Sequence, residues 1–255
     1  MAVAALVGIA VPVLLALWLA RRYHIRWQIV LIGAGTFIVF ALLLEPILHQ
    51  VVLKGSHGAQ LMSNIWYYAL YGGLAAGLFE ETGRFLSMIF LMKKEPSRAL
   101  PGVAYGVGHG GMEMLIIFGV SMISNLVVSL MINAGLTDLL TAKVPEEALP
   151  QVQAQFAQLS TMTAGTLLLG LWERISALVL QLGLSMLVWS AVRRGGKWLW
   201  LLPAAILLHA LVDAVAVVLS KSAGMVAVEL VVCAMAIAMC AMGWMMGRKM
   251  DEAAG

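Results

Sequence analysis

Seven apolar stretches, each long enough to cross a lipid bilayer, restrict what this chain can fold into. A membrane-spanning helix needs about 20 mostly apolar residues, and only helices or closed barrels satisfy their backbone hydrogen bonds inside lipid. Only 11% of the 255 residues are charged, against about a quarter in soluble proteins, which excludes an ordinary soluble enzyme. We therefore predict an all-α polytopic membrane protein, with one domain over residues 1–255 that forms a bundle of about seven transmembrane helices. The predicted spans are Ala2–Ala20, Trp27–Leu48, Ser63–Met92, Gly102–Asn133, Thr166–Val192, Trp198–Leu219 and Ala223–Gly247.

The basic residues predict how the bundle is oriented in the bilayer. Eleven Lys and Arg residues lie in the loops on one side, and three lie in the loops on the other. The positive-inside rule places the C-terminus in the cytoplasm and the N-terminus outside. The basic loops would face anionic lipid, so the expected surroundings are a lipid bilayer and no nucleic-acid partner is expected. The eleven are Arg21, Arg22, Arg26, Lys93, Lys94, Arg98, Arg193, Arg194, Lys197, Arg248 and Lys249, and the three are Lys54, Lys143 and Lys221.

One long polar segment, residues 135–165, is predicted to lie outside the membrane. Its second half has Val152, Phe156 and Leu159 at helical spacing. This pattern predicts a short amphipathic helix on the outer leaflet.

Small residues predict close helix packing in two spans. Gly73 and Gly77 lie four positions apart in the third span, and Gly102, Gly106 and Gly110 repeat every four residues in the fourth. Small residues at this spacing let the backbones of two membrane helices approach closely.

Three of the spans carry polar residues four positions apart, which places each pair on one helical face. A charge at the centre of a bilayer costs about 3 kcal/mol on insertion scales, so charged residues there are functional candidates. Three such pairs in three helices predict a shared polar cavity within the membrane. The residues are Glu80, Glu81 and Arg84 in the third span, His109 and Glu113 in the fourth, and His209 and Asp213 in the sixth.

The composition of this predicted cluster suits the activation of water. Its four carboxylates outnumber its single guanidinium, so protons, a cation or protonated histidines must supply the missing positive charge in a low-dielectric site. A carboxylate held in such surroundings is a good general base.

Other charges in the spans have a simpler interpretation. We expect Glu173 and Arg174 to form a structural ion pair away from the cluster, with Glu229 as a further partner. Gln181, two turns after Glu173, is expected to continue this polar seam.

The three motifs, in this order, resemble those of the glutamic-type intramembrane proteases. That superfamily includes the type II CAAX prenyl endopeptidases and the PrsW-like proteases, and the likeness is closest to the bacterial YhfC-like branch. The motifs are Glu80-Glu81-x-x-Arg84, Tyr105-x-x-x-His109 and His209-x-x-x-Asp213.

The resemblance implies an endopeptidase of the bacterial cytoplasmic membrane that needs no cofactor and hydrolyses a peptide bond of a membrane-associated protein or peptide. CAAX enzymes usually have three residues before the arginine, where this chain has two, and commonly an asparagine at the position of Asp213. A carboxylate donates a hydrogen bond only when it is protonated, so Asp213 would orient His209 or stay neutral. The implied roles are Glu80 as general base, His109 as a holder of the water, His209 and Asp213 facing the oxyanion, Glu81 and Arg84 positioning the site, and Tyr105 and Glu113 as supporting residues.

Three other interpretations stay open. His109, His209 and Glu80 form a set of two imidazoles and one carboxylate that could hold zinc with a position open for water. The same superfamily contains non-catalytic scaffold subunits of larger proteases. Buried histidine and glutamate chains also serve as proton or ion relays in transporters, although the sequence shows no inverted repeat.

Overall fold

The computed structural model describes residues 1–254, and these residues form helices and connecting loops without a β-strand. Six of the helical segments are long and apolar enough to cross a membrane. The predicted all-α polytopic bundle is therefore confirmed. The main helices are α1 (Ala2–Tyr23), α2 (Trp27–Leu53), α3 (Gly58–Ser63), α4 (Ile65–Leu91), α5 (Ala99–Asn133), α6 (Thr137–Thr141), α7 (Leu149–Ser160), α8 (Ala164–Arg194), α9 (Leu201–Ser222) and α10 (Met225–Ala254).

Helix α4 is not one of those six segments, and it carries Glu80, Glu81 and Arg84. These three charges lower its hydropathy, but its 27 residues are long enough to cross a bilayer. It packs against α2, α8 and α9 inside the bundle. We therefore treat α4 as the seventh span.

The observed helices overlap all seven predicted spans, with ends that differ by a few residues. The largest difference is at α10, which continues beyond Gly247 to Ala254. The predicted helix in the polar segment is α7, and Val152, Phe156 and Leu159 lie on its less exposed side. Two spans contain a stretch of π-helix, Ile38–Leu44 in α2 and Met114–Val120 in α5.

Contacts between loops place the four basic segments at one end of the bundle. Arg26 pairs with Glu95 at 2.9 Å, and the Nε of Arg193 donates to the Oγ of Ser97 at 3.0 Å. The backbone N–H of Ala99 donates to Asp251 near the C-terminus at 3.0 Å. We call this the basic end; it is the end for which the basic residues predict a cytoplasmic position.

Helix α8 is the central element of the bundle. Among the six apolar segments named above, it is the most deeply buried. It packs against α4, α5, α9 and α10. The catalytic candidates of α4, α5 and α9 therefore surround one helix, which fixes their relative positions.

Helices α4 and α9 approach so closely that a side chain would not fit between them at Gly73 and Gly77. A Cβ at Gly73 would lie 2.4 Å from the carbonyl oxygen of Ala210, and one at Gly77 would lie 2.5 Å from that of Ile206. The predicted small-residue contact surface is confirmed. It brings Glu80 and Glu81 next to the face of α9 that carries His209.

We expect Gly73→Ala to lower stability, because the added methyl group forces α4 and α9 apart. Overpacking of this kind costs about 1–3 kcal/mol, which thermal unfolding in detergent would measure as a lower Tm. Gly72→Ala is the matched control, since a Cβ there meets nothing within 4 Å. Equal Tm values for the two variants would contradict the close approach.

Candidate active site

A partly open cavity of about 450 Å³ lies between α4, α5, α8, α9 and α10. We call it the site cavity. Its polar lining residues are Glu80, Glu113, Glu173, Arg174, Gln181, His209, Asp213, Ser220 and Glu229.

Glu80 lies on the wall of the site cavity, held through one of its two carboxylate oxygens. The Nε2 of His109 lies 2.9 Å from its Oε2, and the Nε2 of Gln181 donates to the same oxygen at 3.0 Å. The hydrogen bonds of the described residues leave the other oxygen, Oε1, without a protein partner. A carboxylate fixed in this way presents a free oxygen to the cavity.

His209 lies between two carboxylates on the α9 side. Its Nδ1 is 2.8 Å from the Oε1 of Glu81, and its Nε2 is 3.6 Å from the Oδ2 of Asp213. Glu81 is fully buried, whereas the Asp213 side chain is 37% exposed. Glu81 therefore fixes the ring orientation from behind, and Asp213 borders the cavity.

Arg84 links the two glutamates to α8. The side chain is fully buried, with its Nε 3.5 Å from the Oε2 of Glu81 and its Nη2 3.9 Å from the Oε2 of Glu80. Its guanidinium also donates to the backbone carbonyl and to the side-chain oxygen of Gln181. Arg84 is the one cation beside both adjacent carboxylates among the described residues.

Gln181 is the site residue that sequence reasoning assigned to a different place. The Arg84 contact fixes its amide oxygen, so its NH₂ group must point to the other side. There it donates to Glu80 and, at 2.9 Å, to the Oε2 of Glu113. An amide in the otherwise apolar middle of α8 was the signal that could have identified it.

His109 is fully buried behind Glu80. The rings of Tyr105 and Phe37 pack against it, with centroid distances of 6.1 and 5.4 Å. The Tyr105 hydroxyl lies 3.0 Å from the Oγ of Ser87. The structure therefore brings Tyr105 beside His109, and His109 contacts Glu80 through Nε2.

The expectation that Glu173 and Arg174 lie away from the cluster is wrong. The Nη1 of Arg174 lies 3.2 Å from the Oε1 of Glu113, and the guanidinium also pairs with Glu173. Both residues line the same cavity as Glu80. Glu229 lines it too, but among the described residues it forms no ion pair with Arg174, so its expected part in the pair is also wrong. Arg174 and Gln181 lie two turns apart on α8, and Gln181 contacts both Glu80 and Glu113. The ion pair and the carboxylate–histidine cluster are therefore parts of one polar site.

The donor types of the cluster are those of zinc sites, but their positions do not fit a zinc ion. No group of three His, Cys, Asp or Glu side chains converges on one point within the part of the chain that the structure describes. His109 pairs with Glu80, whereas both nitrogens of His209 face Glu81 and Asp213. A three-ligand zinc site would require these pairs to separate.

The fold and this cluster define an integral membrane protein with a buried carboxylate–histidine site. The chain belongs to the YhfC family: a family model described as "YhfC intramembrane metalloprotease" matches residues 7–236. It is also 40% identical over 223 residues to the "Uncharacterized membrane protein YhfC" of Bacillus subtilis (strain 168), covering 87% of this chain and 84% of that protein. No solved structure matches the chain significantly.

Proposed function

We propose that this protein is an intramembrane endopeptidase of the glutamic type, which hydrolyses a peptide bond of a membrane-associated protein or peptide. The observation that carries the proposal is the state of Glu80: one oxygen is held by His109 and Gln181, and the other is free at the wall of a polar cavity. The family's description as a protease supports the reaction class. The placement within the CAAX and PrsW-like superfamily is part of this proposal.

Glu80 is the proposed general base. Its free oxygen accepts a proton from a water molecule as that water attacks the carbonyl carbon of the peptide. His109 orients the carboxylate from behind, because its Nε2 contacts Glu80 and its ring is enclosed by Tyr105 and Phe37. The family resemblance implies instead that His109 holds the attacking water molecule, so the proposed role differs from the implied one.

His209 is the proposed partner of the oxyanion that forms on the carbonyl oxygen. Its Nε2 faces the cavity beside Asp213, while its Nδ1 is held by Glu81. Since Nδ1 donates to the Glu81 carboxylate, Nε2 carries a donor N–H only in the imidazolium form of His209, which the two flanking carboxylates favour. A fixed donor aimed at developing charge is often the largest single contribution to catalysis. The proton that Glu80 accepted then passes to the leaving amine as the C–N bond breaks.

The proposed peptidase function is tested with purified protein in lipid vesicles that contain membrane-anchored peptides. Cleavage is measured by mass spectrometry of the new ends, with Glu80→Gln as the inactive reference. If the wild-type protein cleaves no peptide of a broad set, or if Glu80→Gln cleaves normally, the proposal fails.

A zinc-dependent reaction is the second candidate, because the family description names a metalloprotease and the site has zinc-type donors. Under the glutamic mechanism, we expect dialysis against a chelator to leave the cleavage rate unchanged, since no step uses a metal. Elemental analysis of the same samples measures the metal content. One zinc ion per chain, lost together with activity and absent from His109→Ala, would establish the metal mechanism instead.

We also propose the orientation given by the basic loops, with the basic end in the cytoplasm and the N-terminus outside. The grouping of these loops at one end of the bundle supports it, and the positive-inside rule assigns that end. The compartment is proposed to be the bacterial cytoplasmic membrane.

A further inference from the structure

The site cavity is a passage that runs along α9 away from the basic end. It is lined from His209 to Ser220, eleven positions apart and therefore separated by about 16 Å along the helix axis. Ala223 and Met225, at the turn between α9 and α10, also line it. The cavity thus extends from the carboxylate–histidine site to the end of the bundle opposite the basic end.

The half of the bundle between the site and the basic end is filled. Met88, Tyr105, Leu184, Leu187 and Trp189 are each at most 1% exposed and pack there as one core. The indole N–H of Trp189 donates to the backbone carbonyl of Arg98 at the basic end. Interiors packed in this way contain few voids larger than a water molecule, so they offer no path to the site.

A groove on the outside of this half does not reach the site. It lies between α2 and α4, is lined mainly by apolar side chains such as Leu31, Val39 and Phe90, and shares no described lining residue with the site cavity. The apolar lining of this groove suits contact with lipid tails.

The passage along α9 carries charges, which suits water and peptide groups better than lipid tails. Glu229 lies one turn from the start of α10, and Glu173 and Arg174 lie between that level and Gln181. Buried polar groups of this kind bind water where space allows it. The polar lining is therefore continuous from the α9–α10 turn to Glu80.

We propose that water and substrate reach the site only from the end of the bundle that carries the α9–α10 turn, and that the substrate enters as an extended peptide segment. A path of about 16 Å holds about five residues of extended chain, at about 3.3 Å per residue. With the basic end in the cytoplasm, the substrate class is the extracytoplasmic segment next to the membrane anchor of another protein. The substrate part of this inference rests on the proposed function; the water route does not.

Single cysteines and a membrane-impermeant, positively charged methanethiosulfonate test the route. Cys233 and Cys240 are first replaced by alanine, and Ala216→Cys is then introduced on the cavity wall. Vesicles of both orientations are treated, and labelling is measured by mass shift. We expect Ala216→Cys to react only from the side from which Ser220→Cys reacts.

Two control variants define the sides and the lipid background. Lys94→Cys at the basic end should react only from the opposite side, and Leu207→Cys, which is 62% exposed on the outer face of α9, should not react within the lipid. Labelling of Ala216→Cys from the side of Lys94→Cys, from both sides or from neither side would overturn the route.

The substrate part has its own readout in the same samples. Labelled Ala216→Cys should lose peptide cleavage, because the adduct occupies the passage, while labelled Lys94→Cys should keep it. Retained cleavage after full labelling of Ala216→Cys would overturn peptide entry by this passage. Since labelling itself needs no activity, failure of the route and failure of the proposed peptidase function are distinguishable.

Discussion

Glu80→Gln should reduce peptide cleavage by at least about 100-fold with little change in stability. General-base catalysis contributes about 10²–10⁴-fold, and glutamine cannot accept the proton from water. The substitution keeps the shape of the side chain, and its amide oxygen still accepts hydrogen bonds from His109 and Gln181, as the Oε2 of Glu80 does. Cleavage rates and Tm values of the purified variant and wild type provide the measurement.

Glu113→Gln is the matched control for this prediction. Glu113 lines the same cavity and accepts a hydrogen bond from the same Gln181 amide, but it pairs with Arg174 instead of facing a free position. We expect a much smaller fall in cleavage. Equal losses in the two variants would show that cavity charge, and not a base at Glu80, controls the rate.

The same comparison separates the other interpretations. A scaffold subunit would tolerate Glu80→Gln and co-purify with partner proteins. A proton or ion relay would lose flux in vesicles while cleaving no peptide. Only loss of cleavage with an intact fold supports the peptidase.

The helical bundle could be predicted from sequence because the bilayer allows few alternatives. A run of about 20 apolar residues in lipid must be helical, so composition and length gave seven segments that match seven helices. The ends were less well determined, since α10 continues into charged residues beyond Gly247. A helix can extend beyond the bilayer wherever its backbone remains hydrogen-bonded.

The grouping of Glu80, His109 and His209 could also be predicted, because charges in lipid gather where they can pair. The pairing itself could not. Spacing within α4 allowed Arg84 to reach either glutamate, but only the packing of α4 against α9 shows that Glu81 contacts His209 while Glu80 contacts His109. Contacts between helices depend on rotation about each axis, which periodicity along one chain does not define.

Gln181 and Arg174 illustrate the same limit. Arg174 lies two turns from Gln181 along α8, on the side away from the basic end, but position along a helix says nothing about how far the cavity extends. The side chain of Arg174 reaches Glu113 on α5 at 3.2 Å, and Gln181 joins Glu113 to Glu80. Long side chains on a central helix therefore connected groups that the sequence treats as separate.

Arg84→Leu should have the largest effect on stability, because it leaves two adjacent carboxylates in the core of the bundle without their cation. Removing one partner of a buried ion pair costs about 3–5 kcal/mol, and Arg84 is fully buried beside Glu80 and Glu81. Its loss also removes the donors to Gln181. Thermal unfolding in detergent should show a large fall in Tm or no folded protein.

The double variant Arg84→Leu with Glu81→Gln tests the electrostatic cause. Neutralising Glu81 removes one uncompensated charge, so the double variant should be more stable than Arg84→Leu alone, a coupling that a double-mutant cycle measures directly. Arg174→Leu is the control: the Arg174 side chain is 16% exposed, and its partners Glu113 and Glu173 are 12% and 47% exposed. Arg84 and Glu81 are 0% exposed and Glu80 is 9% exposed, so water screens the charges left by Arg174→Leu better and the loss of stability should be smaller. If Arg84→Leu unfolds no more easily than Arg174→Leu, the buried guanidinium does not hold the site together. In that case the positions of Glu80 and His209 would depend on helix packing at Gly73 and Gly77 alone.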